Sequence, residues 1–389
     1  MELLFYIAIF IIFYTYLGYG LLIAILNKLK GKPDSLDKFS SENLPFVSLI
    51  VPCFNEGEAL HDKIKNSLEL EYPEDKLEII MVTDGTSDGS ELIPTHYPEV
   101  IATHSPARKG KLAAMKRAVG LSKGEILIFC DANTVLNKEA LRLMVEAFAD
   151  TNVGAVTGEK YIITSEEDGA SSKGEGIYWK YESWLKKMDS HYYTMVGGAG
   201  ELMGYRRELF EFLPDDTLLD DFMLTMKIAE KGFSVKYIPE ARASEYASAT
   251  VGEEMKRKIR IAAGGWQSIF RLPLAINPFH DFKLTFQYVS HRVLRWTLTP
   301  MLLVLVFVLN HLLVINDPSP LFFGFLLAQY AFYFLALVGH MTREKGVKIK
   351  GFYVPYYFYV MNYCALLGLN RWLKGRQQVT WERAKRANE

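Results

Sequence analysis

The stretch ILIFCDANTV at residues 126–135 sets five apolar residues directly before an Asp-Ala-Asn sequence. A continuous apolar run of this length is typical of a strand that is buried on both faces of a sheet. Asp131 and Asn133 mark the point where the run ends. The stretch therefore predicts a buried strand with a carboxylate and an amide at its carboxyl end.

Similar apolar runs recur along the chain, separated by helical patterns. Helical spacing occurs at 110–120 and 138–149, between strand patterns. Strands that alternate with helices and are apolar throughout predict an α/β fold with a parallel sheet covered on both faces. The further strand patterns are FVSLIVPCFN (46–55), LEIIMVTDG (77–85) and VGAVTGE (153–159).

Acidic residues follow three of these strands: Glu56, Asp84 and Asp131. One acid at a strand end is equally typical of a helix cap or a turn. Three in succession favour a binding site, because ligands of open α/β sheets bind outside the carboxyl ends of the strands. The sequence has no GxGxxG after the first strand and no GxxxxGK[ST], which disfavours a dinucleotide site and a P-loop.

Oxygen ligands at this edge suit a divalent cation that offsets the charge of a nucleoside diphosphate. Asp131 and Asn133 are the candidate ligands for Mg²⁺ or Mn²⁺. The segment ARKGKLAAMKRA (107–118) includes Lys111 and is a candidate for phosphate contacts, although such a charge run is also typical of a solvated helix face.

Apolar stretches flank this soluble region, and the first, 3–26, contains no charged residue. Its length predicts a transmembrane helix, and a signal peptide is the alternative. Further apolar stretches lie at 297–315, 321–339 and 351–369. The lysines that follow the first span at 28, 30 and 32 predict a cytoplasmic soluble domain by the positive-inside rule.

The stretch 351–369 is less regular, with many tyrosines and Pro355, and basic segments flank it on both sides. We expect it to be interfacial or re-entrant instead of a simple span. Residues 253–283 have apolar residues at helical spacing with basic residues on the other faces. This predicts an amphipathic helix on the anionic inner leaflet, with a surface helix packed on the soluble domain as the alternative.

Composition gives no support to nucleic-acid binding and argues against disulfide bonds. The chain has 44 Lys and Arg against 45 Asp and Glu, so net charge gives no support to nucleic-acid binding. Its three cysteines, Cys53, Cys130 and Cys364, are far apart and form no CxxC, which argues against disulfides and fits a cytosolic soluble part.

Taken in order, these segments resemble membrane-bound family 2 glycosyltransferases of the GT-A fold, a group that includes chitin, hyaluronan, cellulose and poly-N-acetylglucosamine synthases. The resemblance covers about residues 45–385. It implies a Rossmann-like, mostly parallel sheet and a nucleotide-sugar donor. The segments that carry it are VPCFNE (51–56), VTDGTSDGS (82–90), RKGKLAAM (108–115), DAN (131–133), GGAGELMGYRRELF (197–210) and LLDDFMLTMKIAEKGF (218–233).

The resemblance also implies residue roles. Asp221 falls on the family's general base and Asp220 on the adjacent acid, although an acid pair is also typical of a helix start. Asn133 stands where the family has a second Asp, which leaves one charge fewer for the metal. The implied nucleotide-sugar contacts are Pro52, Glu56, Asp84, Lys111, Asp131, Arg260, Trp381 and Arg383, and the implied acceptor contacts are Gly198, Glu201, Arg206 and Trp266.

One segment departs from the family. Synthases of long polymers carry QxxRW, whereas RKIRIAAGG (257–265) keeps Arg260 but has Arg257 for the Gln and Ile261 for the Trp. The family's Trp helps to hold the acceptor sugar, and Trp266 lies a further turn along the helix. The departure predicts a short or single extension of the acceptor.

The sequence therefore predicts an inverting transfer from a nucleotide-sugar, with UDP as the expected nucleotide, to a membrane-associated glycan or a polyprenyl-linked acceptor. The alternatives are a processive polysaccharide synthase that also secretes its polymer and an inactive nucleotide-binding membrane subunit. We expect a multi-pass plasma-membrane protein with a cytoplasmic catalytic domain, of open oligomeric state. Its expected parts are a transmembrane helix (1–30), a GT-A catalytic domain (45–250), amphipathic interfacial helices (251–285), transmembrane and re-entrant or interfacial helices (286–372) and a basic cytosolic tail (373–389).

Overall fold

The computed structural model describes residues 1–31, 39, 43–163, 170–198, 200–246, 251–316, 318–342 and 350–377. Within these ranges eight strands form one sheet in the order β3-β2-β1-β4-β7-β6-β8-β5. The strands are β1 Val47–Cys53, β2 Leu77–Asp84, β3 Val100–Ser105, β4 Ile126–Cys130, β5 Val135–Leu136, β6 Val153–Ile163, β7 Leu202–Arg206 and β8 Ser234–Tyr246.

The helices cover both faces of the sheet and extend beyond it. Two short π-helical stretches, Tyr14–Gly18 and Val289–Val293, join neighbouring helices. The α-helices are α1 Glu2–Phe13, α2 Tyr19–Lys30, α3 Ala59–Leu68, α4 Lys111–Leu121, α5 Ala140–Glu146, α6 Ala170–Tyr192, α7 Asp220–Glu230, α8 Val251–Arg271, α9 Phe282–Tyr288, α10 Leu294–Trp296, α11 Leu298–Asn316, α12 Pro320–Thr342 and α13 Lys350–Leu373.

The apolar core consists of two clusters, one on each face of the sheet, and alternate residues of a buried strand belong to different clusters. In β4, Leu127 and Phe129 join the cluster that includes α4 and α7, whereas Ile126 and Ile128 join the cluster that includes α3 and α5. Successive side chains of a strand point to opposite faces, so a strand that is apolar throughout supplies both cores. The mostly parallel α/β sheet predicted from the sequence is therefore confirmed.

The sheet also contains strands that the sequence patterns did not predict: β3, β5, β7 and β8. Strands β1, β2, β3 and β4 are parallel, and β7 runs antiparallel between β4 and β6. This insertion reverses the direction of the chain beside β4, so Leu202 pairs with Cys130 and Arg206 pairs with Ile126. The first residues after β4 and the residues before β7 therefore lie at the same sheet edge.

In the part of the chain that the structure describes, three helical segments are long and apolar enough to cross a membrane: Glu2–Lys30, Leu298–Asn316 and Pro320–Thr342. Phe5 and Ala8 of α1 pack with residues of α11 and α12 in one cluster of apolar side chains. The predicted spans at 3–26, 297–315 and 321–339 all fall on these helices. The late pair is joined by a short connection, so both of its outer ends lie on one side of any membrane that the pair crosses.

Helix α13 is continuous through Pro355 and is not among these three candidate spans. It packs along α8, where a Cβ at Gly368 would lie 2.5 Å from the Cβ of Ala262. The Tyr16 hydroxyl donates to Asn362 Oδ1 of α13 at 2.6 Å, so the first membrane helix contacts α13 as well. Its interfacial or re-entrant position in a membrane remains a prediction.

Helix α6 joins the sheet domain to the first candidate span, Glu2–Lys30. Leu185 packs with Tyr19 and Ile23. The Tyr19 hydroxyl donates to the fully buried Asp189 carboxylate, and Asn27 Nδ2 donates to the Met188 carbonyl at 2.8 Å. A buried polar partner fixes relative position more strictly than apolar packing does, because leaving it unpaired is costly.

The close approach of β1 and β4 depends on Gly124. A Cβ there would lie 2.4 Å from the Ser48 backbone nitrogen, whereas a Cβ at Gly120 of α4 would meet nothing within 4 Å. We expect Gly124→Ala to destabilise the fold by about 1–3 kcal/mol through overpacking. Gly120→Ala is the matched control and should stabilise it by about 0.5–1 kcal/mol, since alanine is the better helix former. Thermal unfolding in detergent checks the pair, and equal shifts for the two variants would contradict the strand packing.

Candidate active site

A cavity of about 1270 Å³ lies at the carboxyl ends of β1 and β4 and continues to the candidate span Glu2–Lys30 and to α13. Its sheet-edge wall is largely polar and includes most of the sequence-predicted site residues. These are Glu56, Lys111, Asp131, Asn133, Gly198, Glu201, Asp220, Asp221 and Arg260. The opposite wall includes Tyr16 and Leu17 beside α1 and Phe358 and Met361 of α13.

Asp131 follows β4 and is held by Lys111, the first residue of α4. The Lys111 ammonium lies 2.5 Å from Asp131 Oδ1. Burial raises the pKa of Asp131 above its ordinary value of 3.8, and Lys111 limits that rise. Burial acts to lower the pKa of Lys111, but Asp131, Asp220 and Asp221 together raise it above 10.5. Lys111 is therefore a permanent cation at the centre of the acid cluster.

Asp220 and Asp221 lie in the first turn of α7. The unpaired N–H groups at the start of a helix stabilise a negative charge there. Asp221 Oδ1 accepts the Phe222 N–H at 2.7 Å. Burial, followed by the neighbouring charge of Asp220, raises the pKa of Asp221 to about 7. A carboxylate with a pKa near neutrality exchanges a proton readily at physiological pH.

Gly200 lets the chain pass close to this cluster. A Cβ at Gly200 would lie 2.8 Å from Asp221 Oδ2 and 3.5 Å from Lys111 Nζ. The neighbouring Glu201 carbonyl accepts the Asp131 N–H at 3.4 Å. The segment before β7 therefore forms the cavity wall between Asp131 and Asp221.

Glu201 lines the cavity and pairs with a buried lysine behind it. Lys160 Nζ lies 2.6 Å from Glu201 Oε1 and also contacts Glu245. Burial acts to raise the pKa of Glu201, but the Lys160 charge outweighs it and holds the pKa well below 4.5. Gly198 donates its N–H to Thr225 Oγ1 of α7 at 3.1 Å, which ties this segment to the helix that carries Asp221.

Two residues expected to contact the nucleotide do not line the cavity. Pro52 pairs with Val82 inside the sheet. Asp84 is 4% exposed, and its Oδ2 accepts the N–H groups of Lys109 and Gly110 at 2.8 and 2.7 Å. Asp84 therefore fixes the segment that leads into α4 and so positions Lys111.

Arg206 does not reach the cavity, contrary to the role implied by the resemblance. Because β7 is antiparallel to β4, Arg206 lies beside the first residue of β4, at the opposite end from Asp131. Its guanidinium donates to the carbonyls of Val153, Phe148 and Asp150 at 2.7, 2.6 and 3.0 Å. In this position Arg206 ties the end of β7 to the start of β6 and to the turn that precedes it.

Trp266 also points away from the cavity. Its ring stacks on Trp372 of α13, with centroids 5.7 Å apart, whereas Ile261 lines the cavity. A further turn along α8 brings a residue to a different face of the helix. The remaining two predicted contacts, Trp381 and Arg383, lie outside the described residues.

Most of the basic residues of α8 face inward. Four of the five, Lys256, Arg257, Lys258 and Arg260, line the cavity, whereas Arg271 pairs with Asp216. Lys258 is 7% exposed and lies 3.4 Å from Glu254, and Arg260 Nη2 donates to the Leu218 carbonyl at 3.1 Å. This arrangement favours the alternative interpretation, a helix packed on the soluble domain, and the interfacial position of 251–285 stays a prediction.

Sequence reasoning missed the contribution of α6. Tyr178, Trp179, Glu182 and Lys186 line the cavity. Aromatic and basic residues recur at helical spacing in YWKYESWLKK (178–187), and this spacing was the available signal.

The described residues contain no group of three or more His, Cys, Asp or Glu placed to hold a metal ion. Asp131 and Asn133 nevertheless both line the cavity and offer oxygen donors. Such a pair suits a cation that completes its coordination with water and substrate phosphates. The donor set therefore fits a substrate-bridged divalent cation, with Lys111 as a competing partner of Asp131.

Comparison with protein families matches residues 48–213 to glycosyl transferase family 2. An N-acetylglucosaminyltransferase from Neorhizobium galegae is 25% identical, over 64% of this chain and 61% of its own. A poly-beta-1,6-N-acetyl-D-glucosamine synthase from Staphylococcus aureus (strain COL) is 27% identical, over 64% of this chain and 60% of its own. This chain thus spans about three fifths of the length of these relatives.

Among solved structures, a mannosyltransferase from Pyrobaculum calidifontis in complex with GDP-Man and Mn²⁺ aligns over nearly the whole chain. The TM-score is 0.71 at 22% identity, covering 96% of this chain and 100% of that one. At this identity the likeness concerns the fold, and the fold includes the membrane-side helices as well as the sheet. The predicted GT-A fold class is confirmed.

The position of Arg206 generates a test of its structural role. We expect Arg206→Met to destabilise the protein by about 1–3 kcal/mol, because buried carbonyls lose their donors. The KM of Arg206→Met for the acceptor should equal that of the wild type. Arg142→Met is the matched control, since Arg142 is exposed and pairs with Glu146 at 3.4 Å on the same helix, and should leave stability within about 0.5 kcal/mol. An unchanged melting temperature with a raised acceptor KM would instead support acceptor binding by Arg206.

Proposed function

Because residues 48–213 carry a family 2 glycosyl transferase domain, we propose that this chain transfers a sugar from a nucleotide-sugar to a membrane-associated acceptor. The observation that carries the proposal is Asp221, a buried carboxylate with a pKa of about 7 that faces Asp131 and Lys111 across one cavity. The cavity is long enough to join this acid cluster to helices that suit a membrane.

The donor occupies the sheet-edge end of the cavity in this proposal. Lys111 supplies a fixed positive charge for the diphosphate, and Asp84 holds the start of α4 in place behind it. Asp131 and Asn133 would hold Mg²⁺ or Mn²⁺, which when bound offsets the charge that develops on the leaving diphosphate. The likeness in fold to a mannosyltransferase solved with Mn²⁺ supports a divalent ion in general.

The transfer itself needs a base on the opposite side of the sugar from the leaving group. Asp221 would accept the proton of the acceptor hydroxyl as that oxygen attacks the anomeric carbon and the bond to the diphosphate breaks. Such an in-line displacement inverts the anomeric centre. Gly200 permits the close passage of the wall segment, and this segment would position the acceptor against Asp221.

The acceptor would enter from the membrane side. Gly198 and Glu201 line the cavity beside Asp221, and Tyr16 and Phe358 extend the same cavity toward the membrane helices. With lysines 28 and 30 at the end of the first span, the positive-inside rule supports a cytoplasmic catalytic domain in a multi-pass membrane protein.

A processive polysaccharide synthase is the second candidate. It is favoured by the relative from Staphylococcus aureus, which is a poly-beta-1,6-N-acetyl-D-glucosamine synthase. Against it, Ile261 gives the cavity no flat ring at the position where the family's Trp would lie. Trp179 and Tyr357 do line the cavity and could stack on a sugar, so chain length has to be measured.

Mass spectrometry of the products from a panel of UDP- and GDP-sugars tests the function and the number of additions together. We expect incorporation from one donor, with one or a few sugars per acceptor. Ile261→Trp should lengthen the products, because it restores a stacking surface. Ile276→Trp, at a partly exposed site outside the cavity, is the matched control. Incorporation from none of the donors would contradict the function, and high-molecular-weight polymer at early times would establish the processive alternative.

Replacement of the proposed base gives a second test. Asp221→Asn should reduce turnover by about 10²–10⁴-fold while leaving donor affinity nearly unchanged. Wild-type turnover should rise with pH through about 7, since Asp221 acts only when deprotonated and its pKa lies there. Asp215→Asn is the control, because Asp215 is exposed and pairs with Lys116. Turnover of Asp221→Asn within threefold of wild type would rule Asp221 out.

Removal of divalent metal gives a third test. Chelation should abolish turnover and added Mg²⁺ or Mn²⁺ should restore it, because Lys111 alone does not offset the charge of a diphosphate. Asn133→Asp adds a carboxylate and should lower the metal concentration that gives half-maximal activity. Full activity after exhaustive chelation would contradict a metal role for Asp131 and Asn133.

A further inference from the structure

One face of α6 presents Trp179, Glu182 and Lys186 to the cavity, at helical spacing i, i+3 and i+7. Glu182 is fully engaged there. Its carboxylate pairs with Arg292 at 3.2 Å and also contacts Arg295, and His291 Nε2 lies 3.5 Å from it. Burial acts to raise the pKa of Glu182, but these cations hold it well below 4.5.

Three lysines surround the Trp179 ring, and two of them have carboxylate partners. The ammonium groups of Lys160, Lys186 and Lys258 lie 5.5, 5.6 and 5.3 Å from the ring centroid. Lys160 pairs with Glu201, and Lys258 with Glu254.

Lys186 differs from these two lysines. It is 3% exposed, and among the described residues its ammonium has no hydrogen-bond partner. Its contacts are with the faces of Trp179 and Tyr237, at 5.6 and 5.5 Å. The nearby Glu159 is already bonded to Ser183 and Tyr237. A buried ammonium that makes no hydrogen bond is costly, so an anion that enters the cavity and bonds to it would gain a strong pairing there.

The surroundings of Lys186 differ from those of the donor end. Asp131, Asp220 and Asp221 act on Lys111, whereas Glu159, Glu201, Arg292 and Glu182 act on Lys186. Glu201 is common to both groups, because its charge acts on Asp131 and Asp221 as well as on Lys186.

The cavity as a whole favours anions and continues toward apolar helices. Ten Lys and Arg line it against six Asp and Glu. Four apolar side chains line its far side: Leu17 of the candidate span Glu2–Lys30, and Val354, Phe358 and Met361 of α13. An anionic group with an apolar tail matches both features.

We propose that Lys186 anchors the phosphate of a lipid-linked acceptor, with the lipid chain lying along the helices that carry Leu17 and Phe358. This inference rests on the proposed function and specifies its acceptor as a phosphorylated lipid. Lys186 binds the phosphate by charge, Trp179 keeps the ammonium in place, and the attacking hydroxyl of the acceptor is directed past Glu201 toward Asp221. A free phosphate would use the same charge but not the apolar wall.

Equilibrium binding to the full chain in detergent tests this without turnover. The probes are farnesyl phosphate, farnesol, inorganic phosphate, UDP and GDP. We expect Lys186→Met to weaken farnesyl phosphate binding by about 10–100-fold, the loss typical of a charged pair, and to change binding of the preferred nucleotide less than twofold. Lys186→Arg should keep farnesyl phosphate affinity within about threefold, since it retains the charge.

Lys236→Met is the matched control. Lys236 is half-buried, lies outside the cavity and donates to the Ser190 carbonyl at 3.4 Å, so farnesyl phosphate affinity should not change. Farnesol should bind at least tenfold more weakly than farnesyl phosphate, as expected when a charged contact is lost.

Three outcomes would overturn the proposal. Lys186→Met could leave farnesyl phosphate binding intact, or inorganic phosphate could bind as tightly as farnesyl phosphate. Lys186→Met could also weaken nucleotide binding as much as farnesyl phosphate binding, which would assign Lys186 to the donor. Lys186-dependent binding of farnesyl phosphate by a chain that binds neither UDP nor GDP would instead contradict the proposed function alone.

Discussion

The rest of the structure depends on two buried carboxylates of α6, Glu182 and Asp189, and on the partners that each of them binds outside α6. Asp189 accepts from Tyr19 of the first membrane helix and lies 2.5 Å from His291 Nδ1. Glu182 binds Arg292 and Arg295, which lie just before the second membrane helix. Removal of one partner from such a buried network leaves an uncompensated charge, so the network fixes how the sheet domain sits against the membrane helices. The cavity exists because the two parts are held in this way.

The acid cluster has its own origin in the topology of the sheet. Parallel strands bring Glu56 and Asp131 to one edge, and antiparallel β7 returns the chain so that Gly200 and Glu201 reach the same edge. Lys111 then balances Asp131 and the acid pair of α7. Asp221 keeps an elevated pKa because the single ammonium does not fully offset burial and the charge of Asp220. The near-neutral pKa of Asp221 thus follows from its burial and from the charge of Asp220, which Lys111 opposes.

Much of this site was predictable because it follows local rules. The apolar strands, the acids after them and the helix start at Asp220 are each visible within about ten residues, and the structure brings Glu56, Asp131, Asn133 and Asp221 into one cavity. The position of Arg206 away from the cavity could not be predicted, because strand direction is a long-range property: nothing in its own segment shows that β7 is antiparallel to β4. The contribution of α6 escaped prediction for the same reason, since Lys186 becomes notable only when its neighbours are found to have hydrogen-bond partners and its own ammonium has none among the described residues.

The proposed function requires that the sugar leaves the nucleotide and becomes part of a membrane-associated product. The most direct measurement is the partition of radiolabel after purified protein in lipid vesicles is given nucleotide-sugars labelled in the sugar. The account predicts that label moves from the aqueous phase into the lipid-extractable or vesicle-bound fraction, in step with release of nucleoside diphosphate. Label that stays in the aqueous phase, either as intact donor or as free sugar, would contradict it.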